Sequence, residues 1–312
     1  MALLNPPEIL PPLIRSILEY VGAQQGPVNQ TDLVDRLSPG HPDDSGSLGR
    51  ADKAHVRHSA AAARTLGLLT SADGDAALVT EQVRDSMHRG SLRGEWPGLL
   101  RRALLEHPDG ANAVQEAAEQ NTSGPRDLLF AVTWFLAQDA FDAPARWEGA
   151  DGYRSLQQLQ QEQFGAVTKR FPVQNDTRYG AFERWSVHLG LARLDEVSGR
   201  GLRPTPTDAV VSALAGLPSG RWEIEEFCRE LATKVPCLWP GELRRQLVEV
   251  LGSDPDPDVQ QGGIDSSVAL ALVTAERQGL IRLENLADAR RRQVLAPGSE
   301  NARGVTHVEV LR

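Results

Sequence analysis

Side chains able to carry a reaction are sparse in this sequence, and none stands at a spacing that a known chemistry requires. Thirty of the 33 basic residues are arginine. That leaves Lys53, Lys169 and Lys234 for a phosphate cradle or a Schiff base, and none sits in such a motif. The patterns G-x-x-x-x-G-K-[ST], G-x-G-x-x-G and G-x-S-x-G do not occur. His55 and His58, three residues apart, share one side of a helix without a third ligand or a helping glutamate, so they read as surface histidines. The run Asp254-Pro255-Asp256-Pro257-Asp258 offers the carboxylates of a metal-dependent nuclease. It lacks the E-x-K pair that would position a metal and polarise water, and reads as a solvated loop. Cys228 and Cys237 have no partnering cluster and read as small buried hydrophobes. The expectation is a chain with no catalytic residues, metal or cofactor. An enzyme whose site converges from distant residues is the alternative.

What remains is charge. From Arg50 to Arg64 four basic residues stand against one acid, Asp52. Lys53, Arg57 and Arg64 fall at i, i+4 and i+11, one helix face opposite Val56, Ala63 and Leu66. Laid in a major groove, such a helix pairs arginine with guanine and holds phosphate with lysine. The same face also suits plain solvation on a protein that binds protein. Two comparable helices are less basic. In one, Asp176, Arg178, Glu183 and Arg184 cancel, and Tyr179, Phe182 and Trp185 pack it inward. In the other, Asp265, Glu276 and Arg277 leave a net −1, a poor DNA reader and a candidate protein interface. A turn with Arg290-Arg291-Arg292 adds a second place to meet phosphate. The DNA-contacting set is therefore Lys53, Arg57, Arg64, Arg290, Arg291 and Arg292.

The elements that must position these residues are written three times. Each copy is a helix of about fifteen residues closed by Gly among leucines, then a short apolar strand, a polar turn and a second strand. The first runs Asp52–Leu66, Gly67-Leu68-Leu69, Asp73-Gly74-Asp75 and Ala77-Leu78-Val79. The second runs Asp176–Leu189, Gly190-Leu191-Ala192, a turn at Ser198-Gly199-Arg200, then Leu202 and Pro204. The third runs Asp265–Gln278, Gly279-Leu280-Ile281, the triple-arginine turn and Val294-Leu295. Asp opens each helix as a cap. Helix then hairpin is the second half of a winged helix, and shorter helices upstream supply the first half. These are Leu10–Val21 and Asn29–Leu37 for the first copy, one helix within 127–141 plus Tyr153–Thr168 for the second, and Asp208–Leu217 plus Glu223–Val235 for the third. Ser38–Gly49 and Ser253–Gly263 read as loops. Leu128-Leu129-Phe130, Val132 and Trp134-Phe135-Leu136 form an apolar block that reads as core.

The predicted fold is mainly α with small β-hairpins, built of tandem winged-helix units around a helical middle. Its domains are winged helix 1 at 1–90, the helical middle at 91–150, a winged-helix-like unit at 151–206 and winged helix 3 at 207–312. The spacing is too irregular for a solenoid. A length of 312 residues with 40% hydrophobic and 24% charged side chains allows two or three ordinary globular domains and excludes wholesale disorder. The net charge of −9 is spread evenly, with 21 basic and 26 acidic residues in 1–205 and 12 and 16 in 206–312. Any DNA contact must then come from a local patch. Neither a leader nor an apolar run long enough to span a membrane is evident, so a cytoplasmic location is expected.

Two stretches resemble a known family. Leu3-Leu4-Asn5-Pro6-Pro7-Glu8-Ile9-Leu10-Pro11 and Asn175-Asp176-Thr177-Arg178-Tyr179, leading into Phe182, Arg184-Trp185 and Leu189-Gly190-Leu191, are similar to the DpdG proteins. Those are encoded in bacterial clusters that insert deazapurine bases into DNA and restrict foreign DNA. The resemblance implies an accessory, non-enzymatic subunit of a multi-protein DNA-modification or anti-phage defence system and supplies no catalytic residues. The function expected is an adaptor or scaffold that contacts the DNA backbone and partner proteins. A winged-helix transcription regulator is one alternative, and a tandem winged-helix, protein-binding subunit of an SMC-type complex is another.

Overall fold

A computed structural model describes residues 1–38, 50–72, 75–89, 92–149, 152–168, 170–195, 201–287, 293–295 and 303–311. The chain opens with α1 (Pro11–Gly22), α2 (Gln30–Leu37) and α3 (Arg50–Thr65), followed by the antiparallel strands β1 (Leu69–Ser71) and β2 (Ala77–Val79). Prolines occupy the first turn of α1, where a missing N–H is harmless. Ile14, Ile17, Leu18 and Val21 bury its inner stripe. Asn29 caps α2, its Oδ1 accepting from Asp32 N–H at 2.8 Å. Val28, just before α2, bridges Ala77, so β2 lies between Val28 and β1.

Helices then dominate: α4 (Glu81–Arg89), α5 (Leu92–Leu105), α6 (Ala113–Ala118) and α7 (Arg126–Leu136). Ten successive residues of α7, Asp127–Leu136, are buried, the mark of a helix covered on every side. The apolar block read from the sequence is therefore core. Its rings meet edge to face, Phe130 with Phe164 at 5.6 Å and Phe135 with Phe182 at 5.4 Å.

The next elements are β3 (Ala145–Arg146), β4 (Arg154–Ser155), α8 (Leu156–Phe164), α9 (Asp176–His188), β5 (Ala192–Asp195) and β6 (Gly201–Pro204). They form a sheet in the order β4-β3-β6-β5. The helix expected at Tyr153–Thr168 is shorter than the sequence suggested, because Arg154 and Ser155 pair with β3 and Ser155 then caps α8.

The last stretch comprises α10 (Thr207–Leu214), β7 (Gly220–Glu223), α11 (Ile224–Lys234), α12 (Glu242–Leu251), α13 (Pro257–Gln260), α14 (Ser266–Arg277), β8 (Ile281–Glu284), β9 (Gln293–Leu295), β10 (Arg303–Val305) and β11 (His307–Val310). Here the expected hairpin is wrong in its second strand. Val294-Leu295 pairs with β10, and β8 pairs instead with β11, which lies between β8 and β7.

One chain order thus recurs, helix, strand or bridge, helix, helix, two strands, once β4 is set aside in the second copy and α12, α13, β9 and β10 in the third. Each time the early strand joins the last one, as Val28 with Ala77, Ala145 with Leu202 and Trp222 with Val308. Each third helix stops at a glycine with positive φ, 66° at Gly67, 65° at Gly190 and 73° at Gly279. The closing bonds also match. Gly67 N–H donates to Arg64 O and Leu68 N–H to Ala63 O; Gly190 to Val187 and Leu191 to Ser186; Gly279 to Glu276 and Leu280 to Ala275. The helix starts do not match. Asp265 caps α14, accepting from Val268 N–H at 3.0 Å. Asn175, rather than Asp176, caps α9, and α3 begins at Arg50, which puts Asp52 inside its first turn.

The run Asp254–Asp258 is not a solvated loop. Asp256 is fully buried, and its Oδ2 accepts from Ser266 N–H at 2.9 Å and Ser266 Oγ at 2.7 Å. Asp254 grips Arg244 through Nε at 3.0 Å and Nη2 at 2.6 Å, and Asp265 stands 2.9 Å from the same Nη2. Burial opposes the Arg244 charge, but Asp265, Asp254 and Asp256 outweigh it and hold its pKa above the usual value. These carboxylates lock the start of α14 to α12.

Candidate nucleic-acid interface

The inner side of α3 buries Val56, Ser59, Ala60, Ala62 and Ala63; Lys53, Arg57 and Arg64 lie along its edge, Arg57 exposed and Lys53 and Arg64 half-buried. Lys53 Nζ lies 3.6 Å from Asp35 Oδ1 on α2. Arg57 is exposed and, among the described residues, makes no ion pair. Arg64 Nη2 donates to Asp75 O at 3.2 Å, beside the β1–β2 turn. Lys53 and Arg57 share a cleft of about 390 Å³ with Gln30, Thr31, Val34, Asp35 and Asp75. Two of the predicted cations are therefore brought together, and Arg64 stands at the hairpin end of the same helix. Arg290, Arg291 and Arg292 lie outside the described residues. The Lys53–Asp35 pair is solvent-exposed, and such pairs contribute ~0–1 kcal/mol, little enough for a phosphate to displace Asp35.

His55 and His58 are not free surface histidines. His55 Nδ1–H donates to Glu8 O at 2.8 Å, His58 Nδ1 lies 3.6 Å from Glu8 Oε2, and Leu10 N–H donates to Ser59 Oγ at 3.2 Å. The opening segment they hold continues onto two other helices. Leu3 and Leu4 N–H donate to the Asp127 carboxylate at 3.0 and 2.7 Å, and Arg184 Nη2 donates to Pro7 O at 2.7 Å. Burial pushes the Asp127 carboxyl up to about 6 although three backbone N–H groups pull it down. Asp127 and Arg184 thus join α7 and α9 to the segment that seats α3. No local motif marks them, since their partners lie more than a hundred residues away.

The equivalent helices are otherwise engaged. In α9, Phe182 and Trp185 are fully buried and Tyr179 packs beside Trp147, as the sequence suggested. In α14, Ser266, Ser267, Val268, Ala269, Ala271, Leu272 and Ala275 are buried, and Ser266 Oγ accepts from Ala140 N–H at 2.8 Å. That side of α14 is covered from within the chain, in part by α10. The cations on the strands around α14 are paired: Arg221 on β7 with Glu284, Arg282 on β8 with Glu309, and Arg303 on β10 with Glu276.

These features describe a helix-rich protein that repeats one helix–strand–helix–helix–strand–strand order and gives one of the equivalent helices an edge of three cations. The chain belongs to the DpdG-like family, whose model matches residues 1–289. The likeness carried by residues 3–11 and 175–191 thus extends over most of the chain, and membership associates it with a DpdG-type DNA-modification system. Neither a curated protein nor a solved structure matches it. Among the described residues, no group of three His, Cys, Asp or Glu is placed to hold a metal ion, and no helix is long and apolar enough to cross a membrane.

Proposed function

We propose that this chain is a non-enzymatic adaptor of a bacterial DNA-modification or anti-phage defence complex, built of three winged-helix units. In this reading α3 is a recognition helix that meets the DNA backbone through Lys53, Arg57 and Arg64, and the acidic remainder docks partner proteins. Arg290, Arg291 and Arg292 add a phosphate contact from the turn of the third unit. The observation that carries the reading is the contrast among the three equivalent helices: α3 carries Lys53, Arg57 and Arg64 with Arg57 exposed, while α14 is enclosed and the arginines of α9 stand beside Asp176 and Glu183. Family membership supports the DNA-modification context.

The test is duplex binding by the full chain at about 50 and about 200 mM salt, with unrelated sequences. Three phosphate contacts predict that affinity falls roughly 40-fold across that interval, whatever the sequence. Absence of binding at both salts overturns the DNA contact and leaves a protein-only scaffold, a reading that Asp35 and Asp75 in the α3 cleft also favour.

A further inference from the structure

The groove between α5 and α10 holds a buried cation that the fold leaves without a carboxylate partner. Two adjoining cavities, of about 480 and about 320 Å³, share Gly98, Arg101, Arg102 and Ser212 in their walls. Arg101 is only 7% exposed. Among the described residues its guanidinium makes one hydrogen bond, Nη1 to Leu189 O at 2.6 Å, and no ion pair. Asp208, whose charge reaches it, is held by Arg193 at 3.1 Å. Burying a guanidinium without a counter-ion is unfavourable, so an anion arriving here meets a charge that has already lost much of its water.

Two further cations rim the groove. Arg102 follows Arg101 on α5, and Lys234 ends α11; neither makes an ion pair among the described residues. The walls between them are low, being made of Gly98, Ala209, Ser212, Ala213 and Gly216. A Cβ built on Gly98 would meet nothing nearer than Ser212 Oγ at 3.9 Å. Another chain can therefore bring its backbone close. Glu95, Glu106 and Asp208 also line the cavities, so a strand with a phosphate at every step meets repulsion that separate carboxylates avoid.

We infer that this groove docks an acidic segment of a partner protein, its carboxylates meeting Arg101, Arg102 and Lys234 and its backbone crossing the small residues. The inference rests on the adaptor reading, for which it supplies the protein-binding surface. It is tested by fluorescence anisotropy of the full chain with a short labelled peptide of Gly and Ser carrying Glu at every fourth position, at about 50 mM salt. The wild-type chain binds the peptide. Arg102→Glu combined with Lys234→Glu weakens binding by about tenfold or more. Gly98→Leu, which fills the groove without altering charge, also weakens it, and Arg57→Glu leaves it unchanged. A wild-type chain that ignores the peptide, or groove variants that bind it equally well, overturns the inference. So does a pattern in which the groove variants weaken duplex DNA binding and spare the peptide. Peptide binding with the expected pattern supports the groove even if duplex binding fails, so the two readings fall separately.

Discussion

The α3 and α14 regions share a chain order and differ in what surrounds the third helix. Around α3 the cations keep contact with water, with Lys53 half-buried and loosely matched to Asp35 and Arg57 exposed. Around α14 they are enclosed: Arg244 is 1% exposed between Asp254 and Asp265, and Asp256 is held by Ser266. The same topology therefore serves two purposes. Exposed charge adds little to stability and stays available to a ligand, whereas enclosed charge fixes one packing and is costly to disturb. A helix order alone does not tell which use applies; the counter-ions do.

The largest effect should come from breaking the enclosed set. Arg244→Ala leaves Asp254 and Asp265 without their cation and should destabilise the chain by about 3–5 kcal/mol, measured by thermal or denaturant unfolding. Arg57→Glu should leave the same unfolding curve in place. If both variants unfold alike, the contrast between the two regions is lost.

The repeated helix ends offer a second, smaller test. Gly279→Ala forces a side chain into φ 73° with open space around it, and should cost about 1 kcal/mol. Gly190→Ala should cost more, because the new Cβ would also lie 2.8 Å from Asp208 Cβ and 3.1 Å from Arg101 Nη1. Equal effects at the two sites in unfolding experiments would show that the crowding around Gly190 relaxes freely.

The enclosed region should also respond to pH. Burial and the neighbouring Asp256, Asp139 and Asp265 push Asp258 up to about 7. The folded state then binds a proton that the unfolded chain releases near pH 4, so this group's contribution favours the fold at low pH and is lost as pH rises toward 7. Asp258→Asn, which mimics the protonated form, should raise the melting temperature at pH 8 and gain little near pH 4. A gain independent of pH would point to packing instead of charge.

Much of the repeat was legible because backbone geometry leaves marks in sequence. Gly67, Gly190 and Gly279 occupy matching positions with positive φ, and the helix-then-strand phrase before and after each is what the structure contains. What escaped depends on partners distant along the chain. The strand that completes the last sheet is His307–Val310 rather than Val294-Leu295, because an inner hairpin intervenes and strand pairing is not encoded locally. Asp254–Asp258 looked like a solvated loop because its prolines suggest a turn, while Arg244 and Ser266, ten residues to either side of members of the run, supply its hydrogen bonds. His55 and His58 looked free because their partner, Glu8, sits in the opening segment. In the candidate site, the face shared by Lys53, Arg57 and Arg64 followed from helical spacing. The opposing carboxylates Asp35 and Asp75 did not, since they arrive from α2 and the hairpin.

The central claim, that α3 alone of the three equivalent helices faces DNA, is tested most directly by duplex affinity at low salt. The variants to compare are Arg57→Glu on α3 and Arg277→Glu, an exposed position on α14. The account predicts that Arg57→Glu weakens binding and lowers the magnitude of its salt dependence by about one contact, while Arg277→Glu matches the wild-type chain. Equal losses at both positions, or unchanged affinity for Arg57→Glu, would contradict it.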